Sequence, residues 1–116
     1  MHELPVTERI LSIVIAYAKK NDVKKVINIH LSIGEMSDLE DEWIQKYFDH
    51  LSRETVAQDA RLIIKRIPVT MRCEECSFSY QIDIKRMEEI QCPRCQSKKS
   101  SITSGREYYI KDMEVL

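Results

Sequence analysis

Four cysteines fall in two pairs, Cys73 with Cys76 and Cys92 with Cys95, and fifteen residues separate the pairs. Each pair brackets two residues, so a tight turn directs both sulfurs to the same side. Two such knuckles can present four thiolates to one tetrahedral ion, and zinc is the usual occupant of that set. The bare spacing also fits a rubredoxin-like iron or a pair of redox disulfides. Neither knuckle is followed by the glycine of rubredoxin-type loops, which disfavours iron. The reducing cytosol expected for a chain without a secretory leader disfavours structural disulfides. An all-cysteine set leaves no position for a substrate water, so the ion reads as a structural staple rather than a catalyst.

The second arrangement able to do chemistry lies in the opening stretch "MHELPV". A terminal amine has a pKa of ~7.7–8.0, so a metal displaces its proton near neutrality far more easily than it does from a lysine. The amine of Met1, the amide nitrogen of His2 and the His2 imidazole can form fused chelate rings. That nitrogen-rich set suits divalent nickel or copper. Glu3 can add a carboxylate or its own amide, or orient the imidazole from behind. An ordinary surface histidine fits position 2 as well, and spacing alone leaves the two readings open. His30, on the polar side of a strand, and His50, near a helix end, read as surface residues with structural roles.

Other chemistry finds no support. There is no phosphate-binding loop, no dinucleotide glycine pattern (Gly34 and Gly105 are the two glycines) and no G-x-S-x-G. No local pattern marks a nucleophile beside a base, and a thiol–disulfide or metal-dependent enzyme, which would need a low-pKa exposed cysteine or an open zinc position, stays open. The chain's 116 residues, 43% hydrophobic and 32% charged, are enough for one or two small units. A net charge of −1 gives no overall pull toward nucleic acid or an anionic membrane. Residues 1–60 carry 7 Lys/Arg against 11 Asp/Glu, and residues 61–116 carry 11 against 8. A zinc-ribbon nucleic-acid-binding module is accordingly the alternative; steeply salt-dependent binding would be its mark. The basic stretches "KRM" and "SKKSS" read as solvated loops. The longest apolar run, "IVIAYA", is far short of the ~20 residues that span a bilayer. No signal-peptide pattern precedes it, and a cytoplasmic location is expected.

The elements that must position these residues follow from periodicity. Ile10, Leu11, Val14, Tyr17 and Ala18 recur at helical spacing, and with Pro5 and Thr7 as start signals they predict a helix over about 6–21. "VINIHLSIG" alternates: Ile27, Ile29, Leu31 and Ile33 face one way, Asn28, His30 and Ser32 the other. Ser37 and Glu40 suggest a capping box for a second helix, whose apolar stripe is Trp43, Ile44, Tyr47, Phe48 and Leu51. "ARLIIKRI" is a strand stopped by Pro68. Between the knuckles "FSYQIDI" alternates as a ribbon strand, and "EYYIKDMEVL" closes the chain as another. The expected fold is α+β: two helices on a small three-stranded sheet, with an inserted zinc ribbon. Residues 1–68, completed by 105–116, form the α/β domain, and 69–104 form the ribbon, which needs its metal to fold.

Several stretches taken together, in order along the whole chain, carry a resemblance. They are "MHE", "INIHLSIGEMSDL", "TVAQDARLIIKRIPVTMRC", the knuckles "CEEC" and "CPRC", and "SGREYYIKDMEV". The chain resembles the HypA/HybF family of nickel metallochaperones of hydrogenase maturation. The resemblance implies an accessory protein, not an enzyme, that carries Ni(II) to a hydrogenase large-subunit precursor, with a GTPase or ATPase of the same pathway, and leaves a homodimer open. It implies nickel at Met1, His2 and Glu3, and structural zinc at Cys73, Cys76, Cys92 and Cys95. Pro5, where many members have serine, and the glycine-free "TVAQDA" depart from the family pattern. No histidine follows His50, so the ribbon has no imidazole to offer nickel.

Overall fold

The computed structural model describes residues 3–84 and 90–116. Eight elements follow in order: α1 (Glu3–Lys20), β1 (Val26–Gly34), α2 (Asp41–Leu51), β2 (Arg61–Ile67), β3 (Val69–Cys73), β4 (Ser79–Ile82), β5 (Ser100–Ser104) and β6 (Tyr108–Val115). They build two three-stranded sheets, ordered β2-β1-β6 and β4-β3-β5. The last strand does return to the first sheet, beside β1, after the knuckles have been traversed. The fold is the α+β arrangement expected: two helices, one small sheet, and a second small sheet carrying the cysteines.

The chain divides into two compact units. One contains residues 1–31, 38–65 and 109–116, and the other residues 32–37 and 66–108. In the first unit, α1 buries Ile10, Val14 and Ala18 along one stripe, and α2 buries Ile44 and Phe48. Ile29 and Leu31 of β1, with Leu62 of β2, complete the apolar interior. Complete burial of side chains the size of Ile44 or Phe48 is worth roughly 1.5–3 kcal/mol each.

Several local expectations are corrected. Helix α1 begins at Glu3 rather than near residue 6. Pro5 does not delay it, because first-turn amides have no intrahelical acceptor to lose. The capping box of Ser37 and Glu40 does not form: α2 starts at Asp41 with Glu40 as its N-cap, in extended conformation and without a side-chain cap. Trp43 and Tyr17, expected in the core, are 45% and 46% exposed. Tyr47, Leu51 and Leu11 are half-buried. An eleven-residue helix with a narrow buried stripe leaves its flanking aromatics outside. Trp43 and Tyr47 cover each other instead, with ring centroids 5.8 Å apart, and the Lys46 ammonium lies 4.8 Å from the Trp43 ring centre. In β1 the alternation holds from Ile29 to Leu31 but fails at its start, where Val26 is buried and Ile27 exposed, and toward its end, where Ser32 is buried along with Leu31 and Ile33.

In the second unit β3 is the central strand. It pairs antiparallel with β4, with Met71 opposite Tyr80, and with β5, with Met71 opposite Ile102. The expected ribbon strand is shorter than its alternation suggested, ending at Ile82. Lys85, Arg86 and Met87, read as a basic loop, lie outside the described residues. Gly34 and Gly105 meet backbone to backbone. A Cβ on Gly34 would lie 2.0 Å from the Gly105 carbonyl oxygen, and Gly105 itself sits at φ +112°. Both positions therefore require glycine. The amides of Gly105 and Arg106 donate to the Glu107 carboxylate, and the Gly34 amide donates to the Glu107 carbonyl at 2.8 Å.

Candidate metal centre

The two knuckles are built by the same local device. After Cys73, the Ser77 amide donates back to the Cys73 carbonyl at 3.0 Å, and the Cys73 amide donates to the Phe78 carbonyl at 2.9 Å. After Cys92, the Gln96 amide donates to the Cys92 carbonyl and the Cys92 amide to the Ser97 carbonyl, both at 2.8 Å. Ser77 and Gln96 occupy equivalent positions and share a φ of 64°. That is the left-handed region which glycine enters most readily. The missing glycines therefore do not signal a different loop, because a serine and a glutamine take the same conformation. The sequence argument against iron loses its force here.

All four sulfurs lie within 4.8 Å of one another. The Cys73 and Cys95 sulfurs are 3.5 Å apart, and those of Cys76 and Cys92 are 3.6 Å apart. A tetrahedral zinc with Zn–S bonds of ~2.3 Å requires edges of about 3.8 Å, so the set fits that ion with small adjustments. Backbone amides already point at the sulfurs: Cys76 N–H at Cys73, 3.5 Å, and Arg94 N–H at Cys92, 3.4 Å. Such bonds stabilise thiolates. The Cys76 amide holds the Cys73 thiol down at about 7 against burial. At Cys95 the Ser97 amide pulls the same way, but the Cys73 sulfur, burial and the other two sulfurs outweigh it and push the thiol up to about 12. Four sulfurs this close cannot all ionise together unless a cation sits among them. Among the described residues this is the one cluster of three or more His, Cys, Asp or Glu side chains able to hold a metal.

Of the three residues expected at nickel, Met1 and His2 lie outside the described residues. Glu3 is the first residue of α1 and is 6% exposed. Its Oε2 accepts the backbone N–H of Glu40 at 3.0 Å, and its carbonyl accepts the Thr7 hydroxyl at 2.6 Å. The Glu40 amide is the leading reason that the Glu3 carboxyl titrates below its ordinary value. The bond replaces the failed capping box: a glutamate from another helix, rather than one within α2, holds the amide of the N-cap residue. Asp38 adds negative potential beside it.

His30 behaves as its strand position suggested. Its Nε2 lies 2.9 Å from Glu114 Oε1 and 3.8 Å from Asp112 Oδ1 on the neighbouring strand β6. Sequence reading missed these two carboxylates as its partners, although their i, i+2 spacing places both on one face of β6. His50 lies in the last turn of α2, where a cation suits the helix dipole.

Comparison with known proteins agrees with this picture over nearly the whole chain. The model of the family described as "Hydrogenase/urease nickel incorporation, metallochaperone, hypA" matches residues 1–115. Hydrogenase maturation factor HypA of Dehalococcoides mccartyi is 34% identical over 115 residues, covering 99% of this chain and 94% of the relative. HypA of Caldanaerobacter subterraneus is 34% identical over 116 residues and 99% of both chains. The solution structure of the nickel metallochaperone HypA from Helicobacter pylori aligns with a TM-score of 0.71 and 29% identity, covering 100% of this chain and 98% of that one. A second HypA solution structure aligns with a TM-score of 0.76. The chain belongs to the HypA family of hydrogenase and urease nickel-incorporation metallochaperones.

Proposed function

We propose that this protein binds Ni(II) through Met1, His2 and Glu3 and delivers it for assembly of a [NiFe] hydrogenase. The observation that carries the reading is the family match from residue 1 to 115, which includes the "MHE" start and both knuckles. Nickel is cargo, held by the Met1 amine and the amide and imidazole nitrogens of His2. The Glu3 side chain is occupied by the Glu40 amide, so its contribution is to fix the start of α1. Its own backbone amide also faces that carboxylate. Recipient and helper are the hydrogenase large-subunit precursor and a nickel-handling GTPase or ATPase, met in the cytoplasm. No helix among the described residues is long and apolar enough to cross a membrane.

Zinc is the ion that Cys73, Cys76, Cys92 and Cys95 would hold, and it would supply structural cross-linking with no open coordination position. The cysteines do the rest. Cys73 ends β3, Cys92 is fully buried, and together they anchor the knuckles to the ribbon sheet. We assign residues 1–68 with 105–116 to a nickel-binding domain and residues 69–104 to the ribbon, and the protein itself catalyses no reaction. Metal analysis of untagged protein, followed by nickel titration of the parent and of His2→Ala, tests the reading. It expects zinc in both as isolated, and tight nickel binding in the parent alone.

A further inference from the structure

The four cysteines are unequally exposed in a way that a purely structural staple does not require. Cys73 and Cys92 are 1% and 0% exposed, Cys76 is half-buried and Cys95 is exposed. The close sulfur pairs, Cys73 with Cys95 and Cys76 with Cys92, each join one knuckle to the other. Within a knuckle, the first cysteine's sulfur faces both the second cysteine's sulfur and a backbone amide, that of Cys76 or Arg94. Each close pair thus joins one buried cysteine to one that is more exposed as a residue.

Resting on the zinc reading above, we propose that the cluster is also a reversible peroxide-sensitive site, which closes as the disulfides Cys73–Cys95 and Cys76–Cys92. With the ion bound, Cys95 is held as a thiolate and attacks hydrogen peroxide; the O–O bond breaks, hydroxide leaves, and Cys95 becomes a sulfenic acid. The Cys73 thiolate then attacks the Cys95 sulfur, the S–O bond breaks, and a second hydroxide leaves. Two thiolates are oxidised by two electrons in total, and one peroxide is reduced. The ion, left with two donors, is released. A second peroxide reacts at the more accessible Cys76, and Cys92 closes on it in the same way. Both bonds cross between knuckles, so the ribbon keeps its closed form without the ion, and thiol reductant with zinc restores the original state.

The test treats zinc-loaded, untagged full-length protein with limiting hydrogen peroxide while a chromogenic chelator follows zinc release. Non-reducing digestion with trypsin and glutamyl endopeptidase then maps the crosslinks, because Arg94 separates Cys92 from Cys95 and Glu74 and Glu75 separate Cys73 from Cys76. The expected result is zinc loss in step with a Cys73–Cys95 crosslink, followed by Cys76–Cys92, both reversed by reductant. Crosslinks within each knuckle, crosslinks between chains, or sulfinate at Cys95 without any crosslink would each overturn the proposal. Zinc content before oxidant is added tests the metal reading separately, since connectivity is readable whichever ion was bound.

Discussion

The Glu3 carboxylate and the Glu40 amide, 3.0 Å apart, tie the first residue of α1 to the N-cap of α2. The bond spans thirty-seven residues of chain. It sits immediately after the two residues proposed to hold nickel, and one side chain ties the start of α1 to the start of α2.

Replacing Glu3 by alanine should therefore lower the melting temperature and weaken nickel binding together. Glutamine keeps an acceptor oxygen and should preserve most of both. The sign with pH follows from the lowered Glu3 pKa. Its stabilisation is fully present above the ordinary carboxylate range and fades as pH falls through the lowered folded value. The melting gap between the parent and Glu3→Gln should narrow on acidification through that window. A gap that widens would contradict the assignment.

Phe48 is fully buried on α2. Phe48→Ala should cost about 3–5 kcal/mol, a typical large-to-small core penalty, read from denaturant melts. Zinc content should not change. Trp43→Ala, by contrast, should cost only roughly 0.5–1.5 kcal/mol, the worth of its ring contact with Tyr47.

How much of this was legible beforehand depends on the kind of signal. Sulfur spacing and the burial of Ile29, Leu31 and Ile33 follow from local patterns, although Ser32 between the last two is buried as well. The Ile44 and Phe48 stripe was legible too, but its width was not; one sequence period marks Trp43 and Ile44 alike, and tertiary packing decides which is covered. The Glu3–Glu40 bond replaced a capping box that local residues spelled out, because a partner distant in sequence offered the amide a carboxylate. The left-handed conformations of Ser77 and Gln96 were hidden for the opposite reason: the residue types that advertise that conformation are absent.

Gly34 read simply as the end of a strand, and the structure adds a steric reason. Gly34→Ala would drive a methyl group into the Gly105 carbonyl, and backbone must separate from backbone. The cost should be roughly 3 kcal/mol or more, within the range of severe single substitutions. A melting temperature equal to the parent's would show that this approach is not tight in solution.

Cys92→Ser should lose the bound ion and unfold the ribbon, because metal binding free energy is folding free energy in such units. Far-ultraviolet helical signal should persist, since α1 and α2 draw on Ile10, Val14, Ile44 and Phe48. Unchanged metal content and melting would refute the four-sulfur site.

The central claim is that nickel is held at Met1 and His2 with the terminal amine as a donor. Calorimetric nickel titration of two untagged proteins, the parent and one extended by a few residues before Met1, tests it most directly. Every side chain survives in the extended protein, and the Met1 amine becomes an amide. The expected result is tight binding by the parent that weakens as pH falls through about 6.5, where imidazole protonates, and loss of that binding in the extended form with zinc retained. Undiminished nickel affinity in the extended protein would contradict it.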